Sequence, residues 1–227
     1  MKAILDLDTG IDDALALAYA LAHPDLELIG VTCTYGNVTV PLAVRNTLAL
    51  LELLDRPDIP VFAGPSPDGF QPSEISSFIH GQNGVGEVAL APPEKTEDTQ
   101  PATDFLLQAV RDYGDDLVII PTGPSTTIAQ AMLADATFAT NAHIVMMGGA
   151  LTVPGNVSAW AEANISQDPD ATDYLFRHSQ DVTMVGLDVT LRTLLTEKET
   201  ARWRETGTTA GEVFADMVDY YIRAYAT

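Results

Sequence analysis

Short, nearly unbroken apolar runs alternate along this chain with longer stretches whose apolar residues recur every three or four positions. The first pattern predicts strands buried on both faces, and the second predicts amphipathic helices. Taken in order, they predict a strand over 3–8, a helix over 11–23 closed by Pro24, a strand over 26–34, a helix over 41–54 and a short strand over 59–63. Residues 64–100 keep neither period and are rich in Pro, Gly, Ser and Glu. They predict a long irregular excursion, of the kind that is usually functional or mobile. A helix over 102–113, a strand over 116–121, a helix over 125–133 and a strand over 143–147 follow. Asp168-Pro169 reads as a cap and a first-turn proline opening a helix over 170–178, before a strand over 182–187 and helices over 197–205 and 210–225. Strands joined by crossover helices imply one α/β domain across 1–227, with a mostly parallel sheet flanked by helices. Ligands of such sheets sit beyond the carboxyl ends of the strands.

Composition narrows the partners. The 227 residues are 46% hydrophobic, enough for a sizeable core, and carry 32 acidic against 11 basic side chains, a net charge of −21. That field repels nucleic acid and anionic membrane, so neither is expected as a partner. The longest apolar run, 14–22, is too short to cross a bilayer, and carboxylates interrupt the first residues before any signal core forms. A soluble, cytoplasmic protein is expected. The single cysteine, Cys33, excludes an internal disulfide framework and a Cys-based zinc cluster. Only three lysines occur against eight arginines, and this scarcity favours a halophilic surface, on which concentrated salt screens the carboxylates. In the last helix Val213, Phe214, Met217, Val218, Tyr221 and Tyr225 keep helical spacing almost to the end, with no Gly or Asn cap after them. An apolar face left uncovered there is expected, and with it a further segment or partner to cover it.

The candidate chemistry starts at the first strand end. Asp6, Asp8, Asp12 and Asp13 fall within eight residues, with Thr9-Gly10 turning the chain between them. Asp6 and Asp8 share one face of the strand, and Asp12 and Asp13 enter the first turn of the next helix. The helix dipole offsets roughly 0.3–1 kcal/mol of repulsion for each, too little for a dense carboxylate cluster at a buried strand end. A bound cation does offset it, and oxygen-only ligands point to Ca²⁺ or Mg²⁺. The plain alternative, one Asp capping the helix and the rest solvated, leaves Asp8 without a role. Other strand ends bring polar groups to the same edge: Thr34-Tyr35-Gly36-Asn37, then Thr122-Gly123-Pro124 with a Thr122 carbonyl, then Met147-Gly148-Gly149, and beyond it Asn156, Glu162 and Asn164. Amides and carboxylates together suit a polyhydroxylated ligand. Taken singly, Asn37 and Asn156 also read as turn residues, Asn164 as a loop residue and Glu162 as solvated.

These residues resemble the inosine-uridine nucleoside hydrolase family. The resemblance rests on Asp6-x-Asp8-Thr9-Gly10-x-Asp12-Asp13-Ala14, Tyr35-Gly36-Asn37, His80-Gly81-x-Asn83-Gly84, Pro121-Thr122-Gly123, Met146-Met147-Gly148-Gly149, Gly155-Asn156, Ala161-Glu162-Ala163-Asn164 and Asp168-Pro169, in family order from residue 3 to about 195. It implies a Rossmann-like nucleoside hydrolase fold and Ca²⁺-dependent hydrolysis of the N-glycosidic bond of a ribonucleoside to free base and ribose. It further implies Asp8, Asp13 and the Thr122 carbonyl as calcium ligands, with Asp8 also taking a proton from calcium-bound water. Asp12, Asn37, Asn156, Glu162 and Asn164 would hold the ribose hydroxyls, and Met147 would line the sugar site. A homodimer or homotetramer is the family habit. Family members continue past the last helix into a His-Asp-Pro segment that supplies a further calcium ligand. Without it, weak calcium binding and slow turnover are expected of this chain, or else a partner chain that supplies the segment.

Of the four histidines, His23 and His178 end helices and His143 begins a strand, positions that read as structural. His80, in the glycine-flanked part of the excursion, is the one placed to help the base leave. Two other readings compete. Asp6-x-Asp8-Thr9 also resembles the nucleophile motif of haloacid dehalogenase-like phosphatases, but none of Lys2, Lys95 and Lys198 stands where they need one. The other reading is a catalytically weak or inactive calcium-dependent ribose or nucleoside binder.

Overall fold

The computed structural model describes residues 1–226. Strand β1 (Lys2–Leu7) is nearly continuous in burial and leads through a short turn into helix α1 (Ile11–Ala22). The chain continues through β2 (Glu27–Cys33), α2 (Val40–Leu53), β3 (Val61–Ala63), α3 (Glu74–His80) and α4 (Ala102–Tyr113). It then runs through β4 (Leu117–Pro121), α5 (Thr126–Ala134), α6 (Ala136–Asn141), β5 (His143–Met147), α7 (Ala163–Gln167) and α8 (Pro169–His178). It ends with β6 (Val182–Val185), α9 (Leu187–Thr190), α10 (Glu197–Glu205) and α11 (Thr209–Tyr225). The six described strands form one sheet in the order β3-β2-β1-β4-β5-β6, every pair parallel. The expected α/β class and parallel sheet are what the chain adopts.

The order reverses between β1 and β4. Successive connections run outward from β1 on one side and from β4 on the other, so the loops after these two strands diverge and leave a crevice at their carboxyl ends. Side-chain parity along β1 decides what faces it. Leu5 and Leu7 join a core with Leu17 of α1, Leu50 of α2 and Met217 of α11. Ile4 joins the opposite core, with Leu106 of α4, Ile119 of β4 and Ile128 of α5. Asp6 continues the Ile4 row, and Asp8 follows it just past the strand end; both are fully buried.

Several expectations are corrected. The excursion 64–100 is not irregular throughout: Ser73 accepts from the Ser76 amide and starts α3. Its later part is clamped, because Glu52 of α2 accepts from the Glu94 and Lys95 backbone amides. Helix α6 had no periodic signal, being only six residues long, and starts where Asp135 caps Thr137. Strand β6 stops at Val185, because 187–190 coil into the single turn α9. The last helix is covered over most of its apolar face, with Phe214, Met217 and Val218 buried in the core against α1, and only its end, at Tyr225, stays exposed. No described helix is long and apolar enough to cross a membrane.

Ile119 lies in the central part of the sheet with no exposed surface. Ile119→Ala is expected to lower stability by about 2–5 kcal/mol, read as a fall in the urea midpoint. Unchanged stability would remove β4 from the core described above.

Candidate active site

The carboxylates collect at the β1–β4 crevice. Gly10 starts α1, its backbone N–H donating to Asp13 Oδ2 at 2.7 Å, while Thr122 donates its hydroxyl to Asp13 Oδ1. Both oxygens of Asp13 are thereby engaged. The Asn37 backbone N–H donates to Asp8 Oδ2 at 2.6 Å, but Asp8 Oδ1 is buried without a partner. Two glycines make room for this carboxyl group. A Cβ at Gly36 would overlap Asp8 Oδ2, and one at Gly123 would stand 2.9 Å from Oδ1. Burial, then repulsion from Asp13 and Asp12, pushes the Asp8 carboxyl well above its ordinary value. Burial followed by Asp12 pushes Asp13 up to about 7 against the pull of its hydrogen bonds. Asp6 is raised to about 7 by burial, opposed by the Thr32 and Thr127 hydroxyls.

A desolvated pair with one orphaned oxygen fits a hard cation. Asp8, Asp13 and the Thr122 carbonyl supply only hard oxygen donors, and no group of three His, Cys, Asp or Glu side chains suited to a metal exists among the described residues. Two carboxylates are few for an ion that takes six to eight oxygens, so neutral oxygens must complete such a site.

The remaining predicted residues divide by position. Asp12 points outward, with 48% of its side chain exposed beside the buried pair. His80 is the last residue of α3 and buried, rather than part of an open loop. Its Nδ1 accepts the Ile11 backbone N–H at 3.2 Å, which leaves the neutral ring with its proton on Nε2. Burial lowers its pKa in spite of Asp12, 3.7 Å away, so the ion pair does not form at neutral pH. Asn164 donates from Nδ2 to the Thr122 and Met147 carbonyls at 2.8 and 3.1 Å and joins β4 to β5. Glu162 is buried, not solvated. It caps α7, accepting from the Asn164 and Ile165 amides, and takes the Gly149 amide as well. Asn156 is exposed and reaches the group only through its Oδ1, which accepts from Ala163 N.

Sequence reasoning missed other contributors. The Asn37 backbone rather than its side chain holds Asp8, and the Thr122 hydroxyl donates to the pair while its carbonyl accepts from Asn164. Tyr221 of α11 packs on His80 at 5.4 Å between ring centroids, and burial followed by Asp12 raises its pKa, keeping the phenol protonated. Its helical spacing was visible; its neighbour was not. Of the three lysines, Lys2 lies at the far end of β1, bonded to Glu27, Lys95 in the turn held by Glu52 and Lys198 in α10.

A profile of the family described as "Inosine-uridine preferring nucleoside hydrolase" matches residues 3–227. Uridine nucleosidase 1 of Arabidopsis thaliana is 37% identical over 97% of this chain, which spans 66% of that relative, just under two thirds of its length. A solved purine-preferring ribonucleoside hydrolase from Gardnerella vaginalis superposes with a TM-score of 0.97 at 53% identity, over 99% of this chain and 73% of its own. A solved plant nucleoside hydrolase gives 0.93 at 36% identity, over 99% of this chain and 71% of its own.

The raised carboxyls predict a pH dependence. A folded value near 7 against an ordinary value of 3.8 for Asp6 and Asp13 means that their contribution is fully present below about 4. It is lost as pH rises through 7. In chelator, the thermal midpoint is therefore expected to fall between pH 5 and 8. Asp13→Asn should flatten that fall, and added Ca²⁺ should raise the midpoint at pH 8 far more than at pH 5. A midpoint indifferent to calcium at both pH values would contradict the fit of the site to a cation.

Proposed function

The chain belongs to the inosine-uridine preferring nucleoside hydrolase family, and from that premise we propose that it hydrolyses the N-glycosidic bond of ribonucleosides with the help of Ca²⁺. The observation that carries this reading is the buried Asp8–Asp13 pair at the β1–β4 crevice, with Asp8 Oδ1 unpartnered. Asp8, Asp13 and the Thr122 carbonyl would hold the ion. Calcium, when bound, supplies the positive charge that lets the two carboxylates ionise together and makes a nearby water more acidic.

The chain's own groups divide the remaining work. Asp8 takes a proton from the attacking water, whose oxygen bonds to C1′ of the ribose as the bond from C1′ to the base nitrogen breaks. The electron pair leaves with the base, which gains a proton. Positive charge builds on the sugar ring during this step, and the acidic crevice stabilises it. Asp12 and Asn37 lie beside the pair to accept and donate to ribose hydroxyls. Asn164 has its amide nitrogen engaged, so it offers its oxygen as an acceptor. Asn156 has its oxygen engaged and offers its amide as a donor. Glu162 holds the loop between them and keeps spare lone pairs, and Met147 lines the sugar side. His80 offers an Nε2–H to the departing base.

The 53% identity to the purine-preferring Gardnerella enzyme makes inosine and adenosine the first substrates to try, with uridine and cytidine beside them. We also read the −21 charge as suited to molar KCl, so the assay runs at low and high salt. Ribose release that needs Ca²⁺, stops in EGTA and falls by about 10²–10⁴-fold in Asp8→Asn is the expected result. Nucleoside binding without release would instead favour the non-catalytic binder.

A further inference from the structure

We propose that Tyr35 is a positioning residue for the carboxylate site: its hydroxyl, tied through Thr126 to Asp168, fixes the turn after β2 that holds Asp8. The inference rests on the reading of Asp8 as cation ligand and base, and adds a residue to which that reading gives no role.

Tyr35 follows β2, and its side chain crosses the crevice to the other half of the sheet. The residue is only 3% exposed, and its ring packs on Phe70 with centroids 4.6 Å apart. Its hydroxyl lies 3.0 Å from Thr126 Oγ1 and 3.4 Å from Asp168 Oδ2. Thr126 donates its single proton to Asp168 Oδ2 at 2.5 Å, so the phenol is the donor to Thr126. The second Asp168 oxygen accepts from Ala171 N at 3.0 Å and caps α8. One carboxylate therefore joins the starts of α5 and α8, on the β4 side of the crevice, to the end of β2 on the β1 side.

Two residues further on, the Asn37 N–H holds Asp8 Oδ2, and Gly36 between them lies directly against the Asp8 carboxyl group. The turn cannot move inward without striking that carboxyl, and outward movement breaks the Asn37 bond. Phenylalanine would satisfy the packing at position 35 equally well. What the tyrosine adds is the oxygen, and that oxygen is spent on a strut across the crevice. Outer partners that orient a metal ligand in this way are typically worth 10–100-fold in metal affinity or activity.

The test uses the full chain and measures Ca²⁺ affinity by calorimetry, the thermal midpoint in EGTA, and kcat and KM for a hydrolysed nucleoside. Tyr35→Phe is expected to weaken Ca²⁺ binding about tenfold and to lower kcat by a similar factor, with KM changed by less than about twofold. Thr126→Val should give the same loss, the double variant no further loss, and Thr126→Ser should restore both values, because the strut acts as one unit. Unchanged Ca²⁺ affinity in Tyr35→Phe would overturn the proposal, even with a lowered midpoint, since that is what a purely structural hydroxyl would do. Additive losses in the double variant would overturn it too. A wild-type chain that binds no Ca²⁺ refutes the cation reading itself, and this is seen before any variant is compared.

Discussion

Two buried carboxylates held side by side dominate this molecule. Asp8 and Asp13 sit at the carboxyl end of the central strand, where β1 is flanked by β2 and β4 and neither side chain can turn outward to solvent. In so poorly solvated a place charge repulsion is felt strongly, and the pair resists joint ionisation. The fold accepts this strain at the one point where the sheet reverses direction and the loops of β1 and β4 part. Further back along the same row of β1, Ile4 is apolar and joins the core, while Asp6 between it and Asp8 is buried as well.

Around the pair, backbone atoms set most of the contacts, with the Thr122 hydroxyl on Asp13 as a side-chain partner. Gly10 and Asn37 give their amides, and Gly36 and Gly123 give up their side chains so that the Asp8 carboxyl group can lie against the main chain. Such contacts leave little freedom, and a shift of a few tenths of an ångström in either turn is transmitted to Asp8. The hydrogen bonds then run outward, from Thr122 through Asn164 to Met147, and from Glu162 to Gly149. They couple the sugar-side loop of β5 to the calcium-side loop of β4 in the proposed scheme.

The acidic excess has a structural use that composition did not suggest. Several carboxylates accept pairs of backbone amides and so clamp irregular segments: Glu52 the 94–95 turn, Asp188 the 151–152 turn and Glu162 the start of α7. Bonds to the Thr152 hydroxyl and to these amides hold Asp188 down at about 2. These loops are thus tied to helices by charge-assisted hydrogen bonds, beside apolar contacts such as that of Leu90 with the core. The surface keeps Lys and Arg for a few pairs, such as Arg111 with Asp135.

The sequence by itself determined the strands and long helices, because buried runs and helical periodicity are local properties of the chain. It also determined which residues gather at one edge, since Asp8, Asn37, Thr122 and Met147 each lie at or just past a strand's carboxyl end. Short elements such as α3, α6 and α7 escaped notice because one or two turns carry too few positions to show a period. The tertiary structure alone decided which polar atoms are already engaged. It buried His80 with its Nδ1 committed to the backbone, turned Glu162 into a helix cap, and left Asp8 Oδ1 alone. The Glu162 cap is local, but the surroundings of His80 and Asp8 depend on contacts between segments tens of residues apart, and a polar side chain's chemistry is set by its partners and by the water taken from it, neither of which spacing along the chain records.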